Sequence, residues 1–435
     1  MPVYQDTDPV AVYNGDFNPY TVKSHVNTDG SYTQLMGIDD DYLDAFSRLR
    51  VSTPQPLLEV MFTHDLSPLM VETSVVTSAT VAHSGDLASA VLTTTTANGS
   101  KAILQTRQWA PYAPGKSQLA IATFQFGAAV ANVARRVGYW NGSDGIFLQQ
   151  TTAGVSINLD TSIVDGLDQT AAQADFNLDP LDGSGPSGVL ANWSVANIVC
   201  IDLQFLGVGR VRCGLDVGGS IVWFHQFVNA NLLDVQPYMR RASLPLRWEI
   251  ENTAASAGAT MQAICGQVMS EGGVAEGIGH TFAANNAANI ATSTNRATVF
   301  AIRPKTEWPA SSGREPHAVI IPGDLSVSSV GAAILVEVFY APTFSGGNWS
   351  SADANSAVEF SVNSTVSAVG TEVAAFFVPS GGTGVNAGTG SRTIASQYPL
   401  TVNIDGTTQR GLLVTATTLT GTGTARAALT WREIR

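Results

Sequence analysis

The chain has 435 residues, more than a single hydrophobic core usually organises, so its length predicts two domains. The net charge is −13 and lysine occurs only at Lys23, Lys101, Lys116 and Lys305, which argues against nucleic acid as a partner, because phosphates are bound by clustered Lys and Arg. Charged residues make up only 13% of the chain, and a surface left to Ser, Thr, Asn and Gly favours a protein that stays assembled with other subunits.

The first 43 residues are polar, rich in Asp, Asn and Tyr, and show no hydrophobic periodicity. This pattern predicts an extended N-terminal arm, residues 1–43, that becomes ordered against a partner surface. The arm has no basic leader followed by an apolar run, and no part of the chain approaches the roughly 20 apolar residues of a membrane span. We therefore expect a soluble protein, made in a cytoplasm, with no membrane insertion.

Strand patterns begin near Phe46 and predict a first β-domain over residues 44–275. Apolar and polar residues alternate in the segments 201–205 and 211–217, which places one face of each strand inward. Gly218 and Gly219 tolerate the positive φ of a tight turn, so residues 211–227 predict a β-hairpin. Residues 244–250 alternate in the same way and predict another strand with one face in solvent.

A second series of short strands is predicted after residues 276–292, an Ala- and Asn-rich segment that predicts a short helix or a linker. The β-prone runs lie at 334–340, 357–362, 372–378, 400–404, 412–418 and 425–431. Short strands separated by Gly, Ser and Asn are typical of a sandwich or jelly roll. The predicted fold is all-β, with two β-sandwich, jelly-roll-like domains (44–275 and 276–435) behind the extended arm.

Two segments approach known catalytic motifs without completing them. In Ala-Pro-Gly-Lys-Ser at 113–117, the first glycine of a P-loop is replaced by Ala110, and a strand at 118–126 is predicted where the motif needs a helix. Ser187 lies in Gly-Pro-Ser-Gly, in which the second glycine comes one residue too early for a nucleophile elbow. Both segments predict turns.

Metal and cofactor sites are not predicted. Asp175, Asp179 and Asp182 do not fit an EF-hand, and the sequence leaves open either an irregular calcium site or solvated loop carboxylates. The three cysteines at positions 200, 213 and 265 are too few for a disulfide framework and have no C-x-x-C spacing. They predict small buried apolar residues, with a Cys200–Cys213 disulfide as the alternative if their strands are neighbours.

Aromatic residues next to amides suggest sugar contacts. Tyr139 and Trp140 precede Asn141-Gly142, and Trp349 lies between Asn348 and Ser350. An aromatic ring beside hydrogen-bonding groups can stack on a sugar face, so Tyr139, Trp140 and Trp349 are candidate glycan-binding residues, with subunit contact or packing as the alternative.

Three glutamates, Glu59, Glu249 and Glu251, are candidates for the carboxylates of a glycosidase. Glu249 and Glu251 share one strand face, about 7 Å apart at two strand rises. That spacing is compatible with a glycosidase pair and equally with an ordinary polar face. His225 lies on a predicted strand and indicates a hydrogen-bonded structural role.

Two segments of the chain are distinctive, Leu-Gly-Val-Gly-Arg-Val-Arg at 206–212 and Leu-Pro-Leu-Arg-Trp-Glu-Ile-Glu-Asn at 244–252. They occur together with shorter segments at 44–52, 114–118, 136–139, 144–147, 185–188, 225–231 and 431–434. This series resembles a family of tailed-bacteriophage virion proteins described as structural, tail or fibre proteins. The resemblance covers most of the chain from about residue 40 onward, and the two longer segments are the most specific. Ser47 departs from the family, which has glycine there, and this bears on a local turn.

The resemblance implies a structural component of a tailed-phage virion, in the neck, tail or fibre, made in the bacterial host cytoplasm. It implies a concanavalin-like jelly roll for residues 44–275 and provides no catalytic residues, so we expect no enzymatic activity. A receptor-binding protein for host-surface glycan is the alternative, and a polysaccharide-active enzyme is the third reading. We expect other copies of the chain, as a trimer, and other virion proteins as partners.

Charged strand residues are predicted to take part in assembly. Arginines and carboxylates alternate on neighbouring strands, and a cross-strand ladder of such pairs holds a sheet or docks a neighbour. The predicted assembly residues are Arg210, Arg212, Arg247, Glu249 and Glu251.

Overall fold

The structure is a computed structural model of the chain. It describes residues 54–163, 168–232, 236–273, 279–286, 288–309, 318–381, 388–394 and 399–434, and the backbone of four short strands between residues 10 and 34. Contacts divide the chain into residues 1–51 and residues 52–435.

In the described part of the N-terminal unit, four strands form two antiparallel pairs. β1 (Val10–Tyr13) pairs with β2 (Pro19–Val22), and β3 (Ser24–Val26) pairs with β4 (Tyr32–Gln34). The rest of the predicted arm, and the segment 44–52 of the family resemblance, lie outside the described residues.

The second unit begins with fifteen strands and one turn of 3₁₀ helix, Gln173–Asp175, within its described part up to residue 270. In chain order the strands are β5 (Gln55–Met61), β6 (Val71–Val76), β7 (Thr80–Ser84), β8 (Ser89–Thr94), β9 (Lys101–Thr106), β10 (Gln118–Gln125), β11 (Val133–Trp140), β12 (Gly145–Thr151), β13 (Gly154–Asp160), β14 (Gln169–Ala172), β15 (Ala196–Leu203), β16 (Val211–Val217), β17 (Ser220–Phe227), β18 (Leu246–Asn252) and β19 (Ala259–Ser270).

These strands form two antiparallel sheets that pack face to face. The first sheet has the order β17-β16-β15-β10-β19-β8-β7, with β5 also paired to β19, and the second has the order β14-β13-β12-β11-β18-β9-β6. One hydrophobic core lies between them and takes residues from both, such as Phe124 and Leu203 of the first sheet and Val137 and Trp248 of the second. This is a β-sandwich, because each sheet buries one apolar face against the other.

The remaining strands begin at residue 280. They are β20 (His280–Asn285), β21 (Ile290–Thr292), β22 (Ala297–Pro304), β23 (Val319–Val330), β24 (Ile334–Tyr340), β25 (Thr343–Gly346), β26 (Ser350–Ser351), β27 (Val358–Ser361), β28 (Thr365–Ala368), β29 (Thr371–Val378), β30 (Gly388–Thr393), β31 (Leu412–Thr418) and β32 (Gly423–Ile434).

They form a second sandwich. One sheet has the order β20-β32-β23-β30 with β21 also on β32, and the other has the order β26-β27-β22-β31-β24-β29. The core between them includes Phe300, Val336, Val414 and Trp431. The pair β25–β28 forms a separate ribbon with a small cluster of its own, in which Phe344 packs on the six-stranded sheet. The all-β prediction with two sandwiches is therefore confirmed.

The two sandwiches meet at a buried carboxylate. Glu72 on β6 contacts the guanidinium of Arg410, accepts a hydrogen bond from the backbone N–H of Ile404, and lies 3.9 Å from Arg107 Nη1. Glu72 and Arg410 are both buried. One carboxylate thus joins an edge strand of the first sandwich to the segment before β31 of the second.

Several predicted strands agree with the structure and others do not. The hairpin is observed with its turn at Gly218-Gly219, both at positive φ, and the strands at 334–340 and 412–418 have the predicted bounds. The segment 276–292, predicted as a helix or linker, instead contributes β20 and β21, because both pair with β32. Residues 400–404 form only isolated bridges, at Leu400 and Val402.

No helix in the described part of the chain is long and apolar enough to cross a membrane.

Candidate functional site

The central feature of the second sheet of the first sandwich is a cluster of five charged side chains on its outer face. On β18, Leu246, Trp248 and Ile250 point into the core, so Arg247, Glu249 and Glu251 point outward. The register places Arg136 of β11 opposite Glu249, and Lys101 of β9 opposite Glu251. We call Lys101, Arg136, Arg247, Glu249 and Glu251 the charge cluster.

Glu249 is the hub of the charge cluster. Its side chain is fully buried and accepts hydrogen bonds from Arg247 Nε at 2.9 Å and Nη2 at 2.5 Å. Arg136 Nη1 lies 2.5 Å from Glu249 Oε1 and 2.8 Å from Glu251 Oε2, and Lys101 Nζ lies 3.1 Å and 3.8 Å from the same two atoms. One arginine therefore bridges both carboxylates.

The electrostatics of Glu249 follow from these contacts. Burial acts to raise its pKa, but the charges of Arg247, Lys101 and Arg136 outweigh burial, and the net pKa is lowered. A glycosidase needs one carboxylic acid that stays protonated near neutral pH, which requires a raised pKa. Glu249 is held ionised, so it is unsuited to be the proton donor of such a pair, and its full burial keeps it from contact with a substrate.

The sequence predicted that one face of β18 lies in solvent, and the structure corrects this prediction. Glu249 is 0% exposed and Arg247 is 5% exposed. The prediction was wrong because alternation along a strand separates two faces but does not show what covers the outer one. Here the side chains of Lys101 and Arg136 from neighbouring strands surround Glu249.

A second buried ion pair lies on the first sheet. Asp202 of β15 and Arg212 of β16 are register partners, and Arg212 Nη2 is 2.6 Å from Asp202 Oδ2. Both are almost fully buried, and the Arg212 guanidinium lies 4.5 Å from the centre of the Trp223 ring. The expected cross-strand pair is present here as a contact within the sheet. Arg210 lies one residue before β16 and is not part of a strand.

Of the predicted assembly residues, Arg212, Arg247 and Glu249 are therefore buried within one chain. Their contacts hold neighbouring strands together and leave little of their surface for another subunit. Glu251, whose side chain is 29% exposed, and Arg210, which is partly exposed, are the members that solvent still reaches.

The predicted glycan-binding aromatics are placed differently from one another. Tyr139 and Trp140 belong to β11 and are 1% and 4% exposed, so neither presents a ring face to a sugar in this structure. Phe147 packs 4.4 Å from the Trp140 ring and the Arg247 guanidinium lies 4.6 Å from it. The predicted loop position is wrong for both residues, because β11 extends to Trp140 and the turn begins only at Asn141.

Trp349 is partly exposed on the second sandwich. The Arg303 guanidinium lies 3.9 Å from the centre of its ring, and Phe344 meets it edge-on at 4.8 Å. Arg303 in turn pairs with Glu359 at 2.6 Å. Trp349 therefore anchors the small cluster beneath the β25–β28 ribbon and keeps part of its surface in solvent.

The three aspartates considered for calcium do not converge. Asp179 is buried, and its two oxygens accept hydrogen bonds from the backbone N–H groups of Leu181 and Ser187. Asp182 instead accepts from Ser184. Among the described residues, no group of three His, Cys, Asp or Glu side chains is arranged to hold a metal ion.

The cysteines and His225 are placed as small or structural groups. The three cysteines are free; Cys200 and Cys213 are buried, and each pairs with a different residue of the adjacent strand. His225 is buried, accepts a hydrogen bond from the Asn177 backbone N–H, and packs edge-on against Phe227. Burial lowers the pKa of His225 to about 4, so the ring is neutral at pH 7.

Sequence patterns missed two groups that organise this sandwich. Arg136 and Lys101 complete the charge cluster, and no sequence pattern places them beside Glu249, because they come from strands far away in the chain. Asp144 was also missed: it is fully buried and accepts hydrogen bonds from the backbone N–H groups of Ser162 and Arg240, which joins three loops. A turn sequence such as Asn-Gly-Ser-Asp-Gly does not predict a buried aspartate.

No protein-family model matches the chain, and no curated protein sequence matches it. Solved structures similar to it include a glycoside hydrolase family protein from Mycobacterium thermorestibile (11% identity, 49% of this chain and 99% of that chain, TM-score 0.34). Others are the carbohydrate recognition domain of Emp47p (12%, 53% and 98%, 0.28) and the CBM2 module of the evolved Dit of Lactobacillus casei BL23 phage J-1 (11%, 50% and 96%, 0.33). At these values the similarities support no inference about function.

Proposed function

We propose that this protein is a structural component of a tailed-bacteriophage virion, in the neck, tail or a fibre, and that it acts by assembly and not by catalysis. Its partners are other copies of the chain, as a trimer, and other virion proteins. The sequence resemblance described above is the origin of the proposal. The geometry adds support because the segment 244–252 contains β18, an interior strand of its sheet, and Arg212 of the segment 206–212 forms a buried ion pair with Asp202.

The observation that carries the proposal is the state of the charge cluster. Glu249 is the most deeply buried carboxylate of the segment 244–252, and its charge is neutralised by Arg136, Arg247 and Lys101. Its contacts span three neighbouring strands, β9, β11 and β18. A carboxylate that is fully buried and engaged by three cations stabilises a sheet and is out of reach of a substrate, which favours a scaffold over a polysaccharide-active enzyme.

A receptor-binding role toward host-surface glycan is the second candidate. It loses support because Tyr139 and Trp140 are buried. The observation that favours it is the partly exposed Trp349, whose ring stands beside Arg303 on the second sandwich. Glycan-array binding of the full chain that is lost on Trp349→Ala, with the fold retained by circular dichroism, would favour this candidate.

The proposal is tested on virions. Particles of the phage that encodes the chain are purified and separated into heads and tails, and each fraction is examined by mass spectrometry. We expect the full chain in one fraction at a fixed ratio to the other structural proteins. Its absence from both fractions, or turnover of a polysaccharide by the purified protein, would contradict the proposal.

A further inference from the structure

A cavity of about 540 Å³ lies where the two sandwiches meet. On the first sandwich it is lined by residues of β6 and by Arg107, which follows β9. On the second sandwich it is lined by residues 341–343, which lead from β24 into β25, and by residues of the segment 403–410 before β31. Pockets between domains are frequent ligand sites. We call this space the junction cavity.

Two guanidinium groups in the junction cavity share one carboxylate. Arg410 contacts Glu72 Oε2, and Arg107 Nη1 lies 3.9 Å from the same oxygen. The other oxygen of Glu72 accepts a hydrogen bond from the Ile404 N–H. Within the described part of the chain, no other carboxylate pairs with Arg107 or Arg410. This group of three side chains therefore has one positive charge in excess.

The excess charge is largely withdrawn from water. The side chains of Glu72 and Arg410 are 8% and 9% exposed, and that of Arg107 is 21% exposed. Burial lowers the pKa of Arg410 to about 10 and also lowers the pKa of Arg107, because a cation loses hydration when it is buried. A buried charge without a full partner is costly, and an anion bound beside it offsets part of that cost.

The two arginines also keep hydrogen-bond donors for a ligand. Arg107 Nε donates to the Val71 carbonyl at 2.9 Å, and Arg410 Nη1 lies 3.5 Å from Thr401 Oγ1. Together with Glu72, these are their side-chain partners among the described residues. A guanidinium group has several further N–H donors, so most of those on Arg107 and Arg410 can serve an oxyanion.

The rim of the junction cavity is rich in hydroxyl groups. Thr73, Ser74, Thr343 and Thr408 line the cavity and are exposed or half-buried. Asp405 is the other charged residue there; it is exposed and accepts a hydrogen bond from Ser74 Oγ at 3.4 Å. Water and salt screen an exposed carboxylate, so Asp405 does not cancel the charge of the buried arginines. A polar rim of this kind suits a hydrophilic ligand.

We propose that the junction cavity binds a small hydrophilic molecule that carries a carboxylate or phosphate group. The oxyanion is held by Arg107 and Arg410, because the planar fork of a guanidinium group matches two oxygens of either group. Arg107 belongs to the first sandwich and Arg410 to the second, so the bound molecule ties the two sandwiches together. Binding in this cavity is separate from assembly in a virion, and either one can fail without the other.

The test is isothermal titration calorimetry on the full chain at low ionic strength. The probes are glucuronate, inorganic phosphate and glucose, the last being the neutral counterpart of glucuronate. We expect at least one of the two anions to bind with a Kd below about 1 mM, and glucose not to bind. Comparison of the two anions shows whether the site prefers a carboxylate or a phosphate. Added salt should weaken binding.

Matched variants locate the site. Arg107→Gln leaves the contact between Arg410 and Glu72 in place and should weaken anion binding at least about tenfold. Arg107→Lys keeps the charge without the planar fork and should weaken it about threefold or more. The control is Arg392→Gln, the same change of charge at an exposed residue of β30 outside the cavity, and it should bind like the wild type. Circular dichroism establishes that all variants are folded.

Three results would overturn the inference. They are the absence of binding of both anions to the wild type, binding of glucose as tight as that of glucuronate, and an unchanged affinity in both Arg107 variants. Detection of the chain in virions is an independent measurement, so the proposed function can stand when this inference fails.

Discussion

Removal of the charge at Glu249 should destabilise the first sandwich far more than the same change at Glu251. The two residues lie on one strand, on the same face, two positions apart. Glu249→Gln leaves Lys101, Arg136 and Arg247 around a neutral buried side chain, and loss of one partner from a buried ion pair costs about 3 to 5 kcal/mol. Glu251 is 29% exposed, so Glu251→Gln should cost at most about 1 kcal/mol.

The assay is urea unfolding followed by tryptophan fluorescence, since Trp248 is buried on the same strand. The difference between wild type and Glu249→Gln should also depend on pH. Folding lowers the pKa of Glu249, so its contribution is present above the unfolded pKa near 4.5 and is lost as the pH falls through the folded pKa. Equal effects of the two substitutions, or a loss below about 1 kcal/mol for Glu249→Gln, would refute the view that this carboxylate holds three strands together.

Three further predictions concern other parts of the molecule. Glu72→Gln removes the charge that Arg410 contacts between the sandwiches, and it should lower the free energy of unfolding by about 2 to 4 kcal/mol. In calorimetry the two sandwiches should then unfold in separate transitions; a single transition at the wild-type temperature would contradict the prediction. Burial raises the pKa of Asp160 from 3.8 to about 6, so the stability of the native protein should fall as the pH rises between these two values. Asp160→Asn should flatten this pH dependence and add about 1 kcal/mol of stability at pH 7; a pH profile identical to that of the wild type would contradict the prediction. In the native protein a small thiol reagent should modify Cys265, which is partly exposed, well before the buried Cys200 and Cys213; rapid modification of all three would show that the sheet opens.

The local rules of strand formation explain why so much of the fold was predictable. In residues 211–227 alternation and turn glycines indicate strands, and in residues 412–418 the β-prone composition does, because these features act between near neighbours in the chain. The same rules failed for residues 276–292. The Ala- and Asn-rich composition disfavours a strand, yet β20 forms because β32, about 150 residues later, supplies its hydrogen-bond partners.

The candidate sites were less predictable for the same reason. Trp140 has amides beside it in sequence, but its ring is covered by Phe147 and Arg247, which reach it only through sheet pairing.

The sequence by itself determined that this protein is built of sheets, which side chains turn inward, and that its charge is sparse and acidic. Only the tertiary structure decided that Glu249 is buried, because Arg136 and Glu249 are 113 positions apart and meet through the register of two strands. Periodicity assigns a side chain to a face of its own strand, whereas the partners on that face depend on which strands become neighbours.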